Sequence, residues 1–150
     1  MLDDLNTRSA MEESIMETPL SELSTKSPVI VVPETTVAEV IGKFRKLSIG
    51  CVLVGSVEKV VGIFSERDVL MRLADRYEEA SMLPISRFMT SDPEQLDVSA
   101  PIAFALDRMS VGGFRHFPVT RNGRLEGIIS VRDILRFLSE WYPELIPAKP

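Results

Sequence analysis

Three side chains able to do chemistry together occur twice in this chain at the same spacing. Ser65, Arg67 and Asp68 close the run Gly62-Ile63-Phe64-Ser65-Glu66-Arg67-Asp68, and Ser130, Arg132 and Asp133 close Gly127-Ile128-Ile129-Ser130-Val131-Arg132-Asp133. In each run an apolar, β-rich stretch precedes the serine and an amphipathic helical pattern follows it. The serine is therefore placed to cap a helix, with the aspartate in the first turn against the helix dipole. Capping accounts for the serine and the acid, but not for an arginine beside the acid, nor for Gly-Ile ahead of them, in both copies. The same corner could also hold a ligand. A helix N-terminus presents N–H groups and a positive dipole end to a phosphate. A carboxylate, being an acceptor only, can take two hydrogen bonds from a vicinal diol such as ribose. Arg67 and Arg132 add fixed positive charge suited to phosphate oxygens. Ribose with phosphate is a nucleotide, so the residues leave two readings open: capping alone, or capping with a nucleotide site.

The elements that must position these corners are themselves duplicated. Residues 19–73 lie over residues 84–138 at a constant offset of 65 without a gap, with 13 identical positions in 55. In the first copy, Val29–Val32 reads as a strand. Residues 36–47 read as an amphipathic helix opened by a Thr36…Glu39 capping box. Strands follow at 50–54 and 59–64, joined by the hairpin-like Gly55–Glu58, and then a helix from Ser65 to about Tyr77. The second copy repeats the order: a strand near 95–97, a helix over 101–111 with Pro101 in its first turn, strands 115–120 and 124–129, and a helix over 131–141. Its hairpin carries Asn122-Gly123, a strong type I′ turn signal. The apolar faces agree too, Val37, Ile41 and Phe44 corresponding to Ile102, Leu106 and Met109. The expected fold class is α/β, of the α+β kind, with two βαββα repeats. One repeat alone buries too little surface to be stable, so the two are expected to pack sheet to sheet about a pseudo-twofold axis, forming two related clefts. The organisation predicted is a loose tail or weakly held lead-in helix at 1–18, a first repeat at 19–77, a polar bridge at 78–83, a second repeat at 84–141 and a tail at 142–150.

Composition narrows the function. With 150 residues, 45% hydrophobic and 26% charged, the chain is ordinary globular material, and its net charge of -5 argues against a nucleic-acid role. The acidic start Met1-Leu2-Asp3-Asp4-Leu5 lacks the apolar stretch of a signal peptide. The longest apolar run, Ile49–Val54, is interrupted by Gly50 and is too short to cross a bilayer. A cytoplasmic location is expected by elimination, and a single cysteine, Cys51, excludes an internal disulfide framework. Cys51 and His116 fall at equivalent positions of the repeat. A Cys–His nucleophile and base would need a third group to orient them, and none is visible, so Cys51 reads as a small buried strand residue. His116 is divided between a phosphate contact and a packing position. One cysteine and one histidine cannot make a zinc site. Arg72 and Arg76 read as the solvated side of their helix, with Asp68 and Arg72 an i,i+4 pair.

Taken together, the duplicated element order, the twice-repeated Gly-h-h-Ser-x-Arg-Asp (h, hydrophobic) and Arg115-His116-Phe117-Pro118-Val119 make residues 19–140 resemble paired CBS domains, or Bateman modules. The resemblance implies a regulatory, non-enzymatic module whose clefts bind an adenosyl ligand, with AMP, ADP or ATP ahead of S-adenosylmethionine or NADH, and no required cofactor or metal. It implies Asp68 and Asp133 on ribose hydroxyls with Ser65 and Ser130 beside them. Ile49, Gly50 and Ile63, with Phe114, Arg115 and Ile128, would approach base or ribose, and Thr25 and Thr90 would lie in the segments entering each cleft. It also implies a homodimer formed through the repeat helices and a separate regulated enzyme or transporter. The copies differ where Gly50-Cys51 stands opposite Arg115-His116, so the two sites are expected to be unequal. A partner-docking module with empty clefts is the alternative from another class, and a small hydrolase or redox enzyme built on Cys51 and His116 has the least support.

Overall fold

The computed structural model describes residues 2–144, with side chains from residue 8 onward, so the end of the tail expected at 142–150 lies outside the described residues. The chain divides into two compact units that do not follow the order of the repeats in sequence. The first-repeat unit takes Ser27–Glu94 together with Gly123–Glu126, and the second-repeat unit takes residues 2–26, Gln95–Asn122 and residues 127–144.

In the first-repeat unit, β1 (Ile30–Val31), β2 (Cys51–Gly55), β3 (Val60–Ser65) and β4 (Thr90–Ser91) form one sheet in that order. β1 runs parallel to β2, with Ile30 opposite Leu53, whereas β3 is antiparallel to both β2 and β4. The hairpin turns at Gly55, whose φ of +126° and close approach to the Lys59 carbonyl leave no room for a Cβ. Helix α2 (Val37–Leu47) starts at the capping box read from sequence: Glu39 N–H donates to Thr36 Oγ1 at 3.2 Å and Thr36 N–H to Glu39 Oε2 at 3.2 Å. Its buried face, Val37, Val40 and Phe44, packs with Val52, Val54, Phe64 and Leu73, and the Phe44 and Phe64 rings stack with centroids 6.1 Å apart. The segment expected to be a polar bridge carries a short helix, α4 (Tyr77–Ala80). Beyond it the Ser81 and Leu83 carbonyls accept the Ala38 and Val37 N–H groups at 2.9 and 3.0 Å. Those first-turn donors have no partner inside α2, which is why the bridge is drawn into the fold. The helix expected from Ser65 to Tyr77 is also different. It is one α turn, α3 (Glu66–Asp68), followed by a π-helical stretch, Val69–Leu73, and a break before Tyr77.

In the second-repeat unit, β5 (Leu96–Asp97), β6 (His116–Arg121) and β7 (Arg124–Ser130) form a sheet in that order, with β5 parallel to β6. Asn122 and Gly123 both have positive φ, 54° and 78°, as the Asn-Gly hairpin signal requires. The tip of this hairpin is counted with the first-repeat unit, where Leu125 N–H donates to the Val57 carbonyl at 2.9 Å and Arg124 pairs with Glu58 at 3.1 Å. Helices α5 (Ile102–Gly112) and α6 (Val131–Trp141) bury Ile102, Ala105, Met109, Ile134 and Leu138 against Phe117, Val119 and Ile129. Pro101 precedes α5 in extended conformation as its N-cap.

Of the two forms expected for the lead-in, a tail or a helix, the helix is the one present. Residues 2–17 form α1, whose Met11 and Ile15 pack against the second-repeat core, and Tyr142 donates its hydroxyl to the Ala10 carbonyl at 3.4 Å. Behind it, Leu20 and Ser21 donate backbone N–H groups to Ala100 and Val98 at 2.8 and 2.9 Å, so Leu20 and Leu23 enter the same core. The lead-in to the first repeat is thus structural material of the second-repeat unit.

Candidate functional site

Each corner is assembled in the same way. β3 and β7 end on serines with extended backbones, Ser65 at φ -126°, ψ 168° and Ser130 at φ -126°, ψ 166°, and the next residue enters a helix. The aspartate three residues on folds back over its serine. Asp68 Oδ2 accepts the Ser65 N–H at 2.9 Å and the Ser65 hydroxyl at 3.1 Å, and Ser65 Oγ accepts the Asp68 N–H at 3.4 Å. For Ser130 and Asp133 the same three distances are 2.8, 3.0 and 3.3 Å. Both corners are therefore full capping boxes with aspartate in the position more often held by glutamate. One carboxylate oxygen is consumed by the box and the other, Oδ1, faces an arginine: Arg72 Nε at 3.7 Å from Asp68 and Arg136 Nη1 at 3.5 Å from Asp133.

The first N–H of each helix is also taken, Glu66 N–H by the Gly50 carbonyl at 3.0 Å and Val131 N–H by the Arg115 carbonyl at 3.2 Å. Two first-turn donors at each corner thus serve the protein itself. What remains for a ligand is the second carboxylate oxygen, which faces an arginine and can still accept from a diol, and the exposed Arg67 and Arg132.

The structure sorts the candidate residues into two sets. Ile49, Gly50, Ile63, Ser65, Arg67 and Asp68 share the first-repeat unit with Thr90, which pairs with Ile63 across β3 and β4. Phe114, Arg115, His116, Ile128, Ser130, Arg132 and Asp133 share the second-repeat unit with Thr25. A Cβ added to Gly127 would stand 2.9 Å from Thr25 Oγ1, and Lys26 bridges Ile128, so each threonine joins the corner of the opposite repeat in sequence. Phe114 is partly exposed and meets Phe117 edge-on at 5.7 Å.

Two βαββα repeats with the same capped corner at the end of each third strand now stand beside a direct match to known sequences, since the CBS domain family model covers residues 20–75 and 85–140. The chain belongs to the CBS domain family. This CBS pair is 34% identical over 125 residues to an uncharacterized 17.7 kDa protein of Acidianus ambivalens, covering 82% of this chain and 74% of that one. Among solved structures it is similar to a CBS-domain containing protein from Agrobacterium tumefaciens, with 30% identity, a TM-score of 0.73, and coverage of 80% of this chain and 98% of that one. It also shares its fold with CBSX2 in complex with AMP, with 19% identity and a TM-score of 0.69 over 82% of this chain and 97% of that one.

Two features of this CBS pair escape a sequence reading. Arg72 is not a solvated helix residue. Its Nη1 donates to the carbonyls of Phe88 and Met89 at 2.6 and 3.1 Å, and its Nη2 to Thr90 Oγ1 at 3.3 Å, while its Nε faces Asp68. A single side chain so joins the Asp68 corner to the segment carrying Thr90, sixteen to eighteen residues away, a separation that i,i+4 periodicity does not register. Glu66, in turn, folds back over Gly50, with Oε1 2.9 Å from where a Cβ on that glycine would stand. The sequence signal for both was a departure from the repeat: Arg72 aligns with Phe137 and Glu66 with Val131.

Cys51 is buried in β2 opposite Ser65, and burial, helped by the nearby Asp68 charge, pushes its thiol up to about 12. It stays a protonated, inert thiol at neutral pH. Among the described residues no cluster of three or more His, Cys, Asp or Glu side chains is placed to hold a metal ion, and no helix is long and apolar enough to cross a membrane.

Proposed function

We propose that this CBS pair is a regulatory module that binds an adenosyl nucleotide of the AMP, ADP or ATP class at its Ser-x-Arg-Asp corners and reports occupancy by a change of conformation. It catalyses no reaction of its own. The observation that carries this reading is the twofold construction of one acceptor: a largely buried aspartate, locked by its serine through Oδ2 with Oδ1 facing an arginine, its hydrogen bonds to the serine reproduced to within 0.1 Å. A carboxylate held in one rotamer has already lost the side-chain entropy that binding would otherwise cost. Arg67 and Arg132 beside it suit phosphate oxygens, and a protein of the same fold holds AMP. The module would act in the cytoplasm as a homodimer on a separate enzyme or transporter, signalling through differential affinity for two conformations.

Isothermal titration with AMP, ADP, ATP, S-adenosylmethionine and NADH tests the reading. Asp133→Ala should weaken the bound nucleotide by about 1–3 kcal/mol, the scale of a lost hydrogen bond to a charged group, or roughly ten- to a hundredfold. Unchanged affinity in both Asp68→Ala and Asp133→Ala would reject the ribose assignment. The alternative, a partner-docking module without nucleotide, is favoured by the exposure of Leu70 and Met71 on the π-helical turn, 73% each. It predicts no rise in melting temperature with any of these ligands, since a ligand that binds the native state must stabilise it.

A further inference from the structure

The two corners share their capping boxes but differ in charge. At the second-repeat corner the residue whose carbonyl closes the helix is Arg115, the next is His116, and the first helical residue is the apolar Val131. Arg132 and Arg136 follow on α6, so that Arg115, Arg132 and Arg136 accompany Asp133 in this corner. At the first-repeat corner Gly50 replaces Arg115, Cys51 replaces His116 and Glu66 replaces Val131. The absence of a side chain on Gly50 is what lets the Glu66 carboxylate fold over it. Standing at the first helical position, Glu66 is further supported there by the positive end of the helix. Arg72 on this side donates to the Phe88 and Met89 carbonyls and Thr90 and faces Asp68, so that Arg67 and Arg72 stand with two carboxylates, Glu66 and Asp68.

We infer that the two corners sort adenosyl ligands by charge: the Ser130–Asp133 corner takes those with phosphates, and the Ser65–Asp68 corner takes those without, adenosine or a cationic adenosyl sulfonium. The inference rests on the adenosyl reading above and adds to it the ligand class of each corner. A phosphate at the first corner meets the Glu66 carboxylate, which at about 6 Å and an effective dielectric of about 40, between the near-surface value and that of water, disfavours it by about tenfold. A neutral or cationic ligand carries no such penalty, and the ribose acceptor Asp68 is still present for it.

The test is calorimetric titration of the full chain with ATP and, separately, with adenosine, on wild type, Glu66→Gln, Arg115→Ala, Asp68→Ala and Asp133→Ala. Glu66→Gln keeps the shape of the side chain and removes only its charge. ATP affinity is expected to fall about tenfold or more in Asp133→Ala and Arg115→Ala and to be unmoved in Asp68→Ala. Adenosine affinity is expected to fall in Asp68→Ala and to be unmoved in Arg115→Ala. In Glu66→Gln a further ATP should bind at the first corner about tenfold more tightly than in wild type. Equal loss of ATP in Asp68→Ala and Asp133→Ala, or ATP binding indifferent to Glu66→Gln, overturns the sorting while leaving the adenosyl reading in place. Absence of binding by both probes, with no thermal shift, overturns the adenosyl reading and the sorting with it.

Discussion

Replacing Arg72 by methionine is the sharpest probe of the first-repeat unit, because the long stem is kept and only the guanidinium is removed. The wild-type group donates to two backbone carbonyls, Phe88 at 2.6 Å and Met89 at 3.1 Å, touches Thr90 Oγ1 at 3.3 Å and faces Asp68 at 3.7 Å. Each carbonyl bond contributes about 1 kcal/mol net, and the Thr90 contact and ion pair together add at most about 1 kcal/mol, since the arginine side chain is 42% exposed and water replaces part of what is lost. Arg72→Met should therefore destabilise by about 2–3 kcal/mol. Arg136→Met is the internal control. Its guanidinium makes one contact at 3.5 Å to Asp133 from a side chain 49% exposed, and its loss should cost less than about 0.5 kcal/mol. Urea unfolding followed by circular dichroism measures both, and thermal unfolding should show Arg72→Met lower by roughly 5–10 °C. Amide exchange should quicken in residues 88–92, where β4 loses its tether, and stay unchanged in β6. Equal costs for the two substitutions would refute the claim that Arg72 ties the Asp68 corner to the Thr90 segment.

Cys51 and Ile15 offer further tests. The folded chain keeps the Cys51 proton to about 12, whereas the unfolded chain releases it near its ordinary value of 9.0. The associated stability is complete below 9.0 and is lost as pH rises towards 12, by up to about 1.4 kcal/mol per pH unit. Cys51→Val should flatten that alkaline decline in urea titrations, and iodoacetamide should label the wild-type thiol at neutral pH only after unfolding. Ile15→Ala, in a helix packed on the second-repeat core, should cost about 1–2 kcal/mol, less than full burial would imply because the side chain is half-buried; no loss in urea unfolding would mean that α1 is not held.

Much of the fold could be read from local patterns. The Thr36 capping box, the Asn122-Gly123 turn and the boundaries of α6 stand where spacing and turn chemistry put them, because each depends on residues within a few positions of one another. The serine-aspartate corners belong with these, since a capping box closes over three residues. The misreadings all involve distant partners. The lead-in helix reads as weakly held because the core that Met11 and Ile15 cover lies far along the chain, and 78–83 reads as a bridge because its carbonyls serve the start of α2. The helix expected after Ser65 passes into a π-helical turn whose Arg72 is held by carbonyls beyond α4.

The sequence by itself determined that two equivalent corners exist and what chemistry each could offer, for a duplicated motif carries the same local hydrogen-bonding instructions wherever it occurs. Only the tertiary structure decided how those corners are equipped. Thr25 and Thr90 change places between the repeats because their segments pair with strands of the opposite copy. One aspartate oxygen is spent and the other faces an arginine, Arg72 is anchored, and Glu66 lies over a glycine. Each of these is set by which groups meet across long stretches of chain. Composition and periodicity do not contain that information, and packing supplies it.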